Sequence, residues 1–301
     1  MRAFAWFLLL FAAALAAIAL GSYPAWLLLH PHFDFPFHRI GERVGMLALL
    51  VGFVAVARRL RLADRASLGY GLPRRRFLRE LGVGLAIGVL TMGAVVGVMA
   101  ALGLLDWTRA GAFTVAALVK LIAVRALSGL AVALIEETFL RGAMYTGIAR
   151  QSGPRVAVLL TAVVYAATHF FASYHIAAAQ VTPWSGVALL AGTLHAFANP
   201  VAILDAFAAL FAVGVVLGLV RAATGNIAAC IGLHAGWVWV MLVVHELSAA
   251  RPGAALGFLL SRFDGFVGWL VVIACAAMAW PLWRFYRARA AARPAQVERP
   301  H

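Results

Sequence analysis

"AVALIEETFLRGAMY", residues 131–145, sets two adjacent glutamates, Glu136 and Glu137, and an arginine, Arg141, inside an apolar run. One charge at the centre of a bilayer costs about 3 kcal/mol on insertion scales. Whether this run is a membrane helix therefore decides both the fold and the purpose of the three charges. Composition answers the first part: 64% of the 301 residues are hydrophobic and 12% are charged, against roughly half and a quarter in soluble domains. Stretches of the ~20 apolar residues needed to cross a hydrocarbon core of about 30 Å recur along nearly the whole chain.

The reading is an all-α, polytopic integral membrane protein of about eight transmembrane helices. The spans fall near 4–28, 41–57, 81–105, 113–139, 155–173, 201–221, 227–247 and 265–285. The first resembles a signal peptide, with Arg2 and small residues at Gly21 and Ser22, but the apolar run resumes at Ala25 and reads as an uncleaved helix. Residues 1–110 form an N-terminal helical region with an Arg-rich loop, 111–250 a core, and 251–301 a last span with a basic tail.

The net charge of +14 comes from 25 basic residues, all arginine except Lys120. They do not build a soluble basic surface, which excludes nucleic acid as a partner. They gather instead in the 58–79 loop, at Arg150, Arg155 and Arg221, and in the tail at Arg284, Arg287, Arg289, Arg293 and Arg299, while the 174–200 connection has none. Positive charge marks the cytoplasmic side, so both termini are placed in the cytoplasm of a cell whose inner (plasma) membrane holds the chain. The arginines are read as topology signals, with contact to anionic lipid as the other reading. Cys230 and Cys275 lie in apolar segments and give no disulfide framework.

Glu137 and Arg141 are four apart with the acid first, the favourable order for a helical ion pair. Glu136 points about 100° away from Glu137, which leaves it without that partner. A turn at Ser152–Gly153–Pro154 would set Glu136, 16 residues before position 152, at the depth of His169, 17 after it. His169 could also simply bond a backbone carbonyl. After a turn and cap at Thr224–Gly225–Asn226, "GNIAACIGLHAGW" carries His234 between Gly232 and Gly236, with Cys230 one turn earlier. Small residues there permit close helix approach. Glu136, His169 and His234 are the candidate catalytic residues, and Glu137 with Arg141 the supporting pair.

At these residues the chain resembles the CPBP, or type II CAAX endopeptidase-like, intramembrane proteases. "EETFLR" matches that family's EExxxR motif, "YAATH" (165–169) is similar to its aromatic-xxx-His motif, and "GNIAACIGLHAGW" to its third motif, over roughly 115–247. The resemblance implies an intramembrane endopeptidase acting on a membrane-associated peptide or protein. It departs at Val238, where many members carry Asn or Asp thought to help hold the oxyanion.

Two mechanisms fit the residues. In one, Glu136 is the base that activates water, His169 shares or orients that water, and His234 donates to the oxyanion. In the other, Glu136, His169 and His234 ligate zinc, since two His and one Glu form a known catalytic set, and Glu137 becomes the base. The metal-free version is preferred because no HExxH is present. An inactive immunity or scaffold protein, favoured by Val238, and a proton-coupled transporter, to which Lys120, Arg125 and Asp205 would contribute, are the competing classes. The 174–200 connection is expected to hold a short surface helix and to act as a lid; His30, His32 and His38 read as an interfacial belt with their aromatic neighbours, and His245–Glu246 as a helix end. Reporter fusions within the 58–79 loop and at Arg289 should read as cytoplasmic, and one after His175 as external; a periplasmic signal at Arg289 would overturn this topology.

Overall fold

The computed structural model describes residues 1–171 and 174–292, which leaves Arg293 and Arg299 of the tail outside the described residues. The chain forms α1 (Arg2–Leu29), α2 (Phe37–Arg59), α3 (Arg74–Ala101), α4 (Val115–Glu137), a π-helical turn (Thr138–Met144), α5 (Tyr145–Thr168), α6 (Ser185–Thr193), α7 (Leu204–Thr224), α8 (Ala228–Leu247) and α9 (Trp269–Ala291). One strand pair, Leu105–Asp106 against Ala249–Ala250, ties the α3–α4 and α8–α9 connections together. The fold is all-α and multi-pass.

Among the described residues seven helical runs, against the eight spans expected, are long and apolar enough to cross a membrane. The difference lies in 115–168, a single run of 54 residues. Its backbone turns at Gly153, where φ is 81° and ψ is 165°. The Arg141 guanidinium nevertheless lies 4.7 Å from the Tyr165 ring, whereas 24 residues of straight helix would separate them by about 36 Å. The run is therefore an antiparallel hairpin, with the turn where the Ser-Gly-Pro sequence places it. The third span begins at Arg74 rather than near 81, because arginine stems lie along apolar surface and let a helix start before its apolar run does.

Backbone contact fixes α3 against α8. A side-chain carbon at Gly84 or Gly88 would strike the α8 backbone near Ala229 and Leu233, and one at Gly232 or Gly236 would strike α3 at Leu81 and Leu85. The close approach foreseen around His234 is present, and it settles the height of that histidine.

The 174–200 connection holds one short helix, α6. One face of it packs: Gly186 sits against the Ala19 carbonyl of α1, and Leu189 is buried with Trp26, Phe37 and Ile40. The opposite face, with Val187, stays exposed.

The Arg-rich loop does more than report topology. Its 60–73 segment crosses one end of the core, where Thr146 Oγ1 donates to the Ser67 carbonyl at 2.8 Å and Arg150 donates to the Arg61 carbonyl at 3.2 Å and to Ser67 Oγ at 2.6 Å. Ile227 N–H donates to the Gly69 carbonyl at 3.1 Å. Side-chain and backbone donation from Ser67 to Asp64 holds that exposed carboxyl below the usual range, so this turn keeps its shape to low pH. Gly153 occupies backbone territory nearly closed to other residues, at a cost of about 1–3 kcal/mol. Gly153→Ala should lower stability in detergent by that amount, read as the shift of a denaturant or thermal unfolding curve.

Candidate active site

α4 presents Gly129, Ala133 and Glu137 on its buried face, and Gly129 brings that face onto the α8 backbone at Ala235 and Trp239. Past Glu137 the helix widens into the π turn, in which Leu140 to Met144 are all buried. Such turns are uncommon and recur at functional sites. Here the turn delivers Arg141 into the core, where its guanidinium has no exposed surface.

Arg141 Nη1 donates to Glu137 Oε1 at 3.0 Å and Nη2 to the Gly214 carbonyl at 3.2 Å. Its own carbonyl accepts from Arg221 Nε at 2.8 Å. The expected Glu137–Arg141 pair is thus present, but Glu137 is more than its partner. The same Oε1 accepts from His234 Nδ1 at 2.9 Å. One buried carboxylate carries both a guanidinium and an imidazole. The spacing argument missed this because it considered α4 alone, and the second partner arrives from α8.

Glu136 is the accessible acid, with 31% of its side chain exposed and Oε2 4.0 Å from His234 Nε2. That oxygen has no hydrogen-bond partner among the described residues. His234 therefore stands between the two glutamates, one on each ring nitrogen. Its ring is almost wholly buried.

His169 is placed differently from the expectation. Its Nδ1 donates to the Tyr165 carbonyl at 2.7 Å and its ring lies 4.5 Å from the Tyr165 ring. Among the described residues no hydrogen bond or ion pair joins it to Glu136. The hairpin matches their depth, as the equal arm lengths require, but the last turn of α5 draws the imidazole back onto its own helix. What brings His169 and His234 together is a cavity of about 280 Å³ between α3, α5, α7, α8 and α9, lined also by Tyr165, Val238 and Cys275. Tyr165, which the sequence marked only as the aromatic of a motif, touches every part of this site.

Among the described residues no three His, Cys, Asp or Glu side chains stand close enough together to hold a metal ion. Glu136, His169 and His234 as placed do not form a ligand set, and the Cys230 thiol donates to the Leu217 carbonyl at 3.5 Å. The other polar residues are engaged elsewhere. Arg125 pairs with Glu246, and Asp205 accepts from the Ala206 and Arg262 N–H groups at 2.8 and 2.9 Å.

Residues 116–240 match the family model for Rce1-like proteins, described as type II CAAX prenyl endopeptidase Rce1-like. Over this segment, less than half of its length, the chain is similar to that family. Within it lie Glu136, Glu137, Arg141, Tyr165, His169 and His234, so the whole polar cluster falls inside the matched span. No curated protein and no solved structure matched the chain.

The two glutamates should separate by stability. Removing one partner of a buried pair costs about 3–5 kcal/mol, so Glu137→Ala should lower the thermal aggregation temperature and the abundance in the membrane. Glu136→Gln removes no formed bond and should stay within about 0.5 kcal/mol of the parent. Purified variants compared by thermal aggregation will show this.

Proposed function

We propose that the chain is an intramembrane endopeptidase that hydrolyses a peptide bond in a membrane-associated peptide or protein, with Glu136 as the base. The observation that carries the reading is the unpartnered Glu136 oxygen, 4.0 Å from Nε2 of His234, which with His169 lines the cavity. A carboxylate in that setting can take a proton from water as the water attacks a carbonyl carbon, then return it to the leaving amine. His169, with Nδ1–H committed to the Tyr165 carbonyl, has Nε2 left to accept from and orient that water. Glu137 and Arg141 hold His234 and the π turn in place. The membrane is taken to be the cell's inner membrane, with both termini cytoplasmic.

The zinc reading would need Glu136, His169 and His234 to converge on one ion, with Glu137 as the base. The metal-free reaction is the one proposed, and no step is routed through a metal. Val238 favours one second reading, a scaffold or immunity protein without turnover, since it presents a methyl-lined wall to the cavity where relatives of the resembling family carry an amide or carboxyl.

Purified protein should be given internally quenched peptides with an apolar tail, one farnesylated at cysteine and one unmodified. Cleavage of either is expected, with Glu136→Gln lowering kcat by about 10²–10⁴-fold and a chelator leaving it unchanged. Chelator-sensitive activity restored by zinc would move the base to Glu137. Equal activity in Glu136→Gln would remove the mechanism, and no cleavage by the parent would leave the scaffold reading.

A further inference from the structure

We propose that the Tyr165 hydroxyl is a catalytic residue of this site, the donor that holds the oxyanion; the inference rests on the hydrolytic reading above. Of the polar groups that line the cavity, most have their protons committed. Thr91 Oγ1 donates to the Ile87 carbonyl at 2.7 Å and accepts from Trp237 Nε1 at 2.9 Å. His169 Nδ1–H goes to the Tyr165 carbonyl, and Asp264 accepts from the Phe266 and Val267 N–H groups. Cys275 is a weak donor, and Val238 has nothing to donate.

His234 cannot fill the role in its neutral form. Its Nδ1–H donates to Glu137 Oε1 at 2.9 Å, so in the neutral ring Nε2 carries a lone pair. A lone pair accepts from a hydroxyl and repels an oxyanion. Facing it is Tyr165 Oη, at 3.4 Å, the long end of the hydrogen-bond range. That hydroxyl can turn to a closer, more basic acceptor without giving up a strong bond. His234 is thereby the group that keeps the hydroxyl aimed, not the donor.

The tyrosine is also fixed before substrate arrives. Its side chain is buried, with the Arg141 guanidinium 4.7 Å from the ring and the His169 and His234 rings at 4.5 and 5.7 Å. A cation against the ring draws electron density from it and sharpens the O–H dipole. A rigid donor in a dry site is the arrangement that stabilises developing charge most. In the reaction, Glu136 accepts a water proton as the water oxygen bonds to the carbonyl carbon. The carbonyl π pair moves onto oxygen, where Tyr165 donates a hydrogen bond without transferring its proton. On collapse the C–N bond breaks, its pair stays on nitrogen, and Glu136 returns the proton there.

The test is Tyr165→Phe, which deletes one oxygen and keeps the ring. With the quenched peptides, kcat should fall by about 10²–10³-fold at unchanged KM and unchanged thermal aggregation temperature. Adding Val238→Asn, one turn from His234 on the same cavity wall, should restore at least tenfold of that loss by supplying a new donor. In parallel, with chelator present, a phosphinic peptide that carries a tetrahedral anion should bind the parent more tightly than the matching amide peptide, and Tyr165→Phe should lose that preference. Parent kcat in Tyr165→Phe overturns the assignment. So does a phosphinate preference that is absent from the parent or equal in both proteins. If neither peptide is cleaved by the parent, the hydrolytic reading fails, and the phosphinate arm still judges Tyr165 by itself. If Tyr165→Phe does not accumulate, 3-fluorotyrosine at this position changes only the acidity of the hydroxyl; altered phosphinate affinity supports the assignment and unaltered affinity overturns it.

Discussion

The Glu137 carboxylate is the interaction on which the rest of the core depends. It balances Arg141 within α4 and its π turn, and it takes the Nδ1 proton of His234 from α8. Its removal would strand a buried guanidinium and a buried imidazole without their shared acceptor, so the two helices are joined by charge as well as by packing. The same bond fixes the tautomer of His234. Structural support and chemical function therefore meet in one oxygen, Oε1, and substitutions of Glu137 will not separate them cleanly.

Two of the donors of this deep arginine are placed, one by a side chain and one by the backbone, while Nε has no hydrogen-bond partner among the described residues. The Gly214 carbonyl takes one Arg141 nitrogen, while the Arg141 carbonyl, in the π turn, takes Arg221. Above them the 60–73 segment closes one end of the core. Gly142 has no side chain where the Leu68 carbonyl approaches, and Tyr70 bonds Thr138 at 2.6 Å, on the hydroxyl that Thr138 in turn gives to the Leu134 carbonyl. A loop read from its arginines as an address label is also a lid on the charged turn. Its sequence carries no periodic signal for that role, because the contacts are made by backbone carbonyls.

What was legible in the sequence was local or repetitive. Apolar runs gave the spans, Gly153 gave the hairpin, Gly225 (φ 71°) gave the end of α7, and spacing gave Glu137 with Arg141. Contacts between distant segments were legible only where two arguments met. Equal arm lengths brought His169 to the depth of Glu136, yet rotation about the end of α5 turned it toward Tyr165. Depth is counted in residues, whereas direction depends on a final turn that the π segment and the Gly153 kink both reset. Tyr165 was passed over for a similar reason: an aromatic in an apolar helix is ordinary, and only Arg141, His169 and His234 around it make it otherwise. The short helix expected in 174–200 is α6, nine residues long; its contact with α1 and α2 was not legible, because it rests on Gly186 and Leu189 meeting distant segments.

The cavity wall formed by α3 and α9 has an uneven construction. At its arginine-rich end the buried Glu80 of α3 holds Arg289 of α9 at 3.0 Å. Toward the other end the facing residues that line the cavity are apolar or weakly polar, among them Met92, Val95, Val271 and Met278. A wall pinned by charge at one edge and joined only by apolar contacts, two of them through methionine, along the rest is a leaf on a hinge. Methionine gives way more easily than branched side chains, so movement here would begin at the end remote from Glu80 and widen the cavity toward the lipid without disturbing the height at which α3 holds His234.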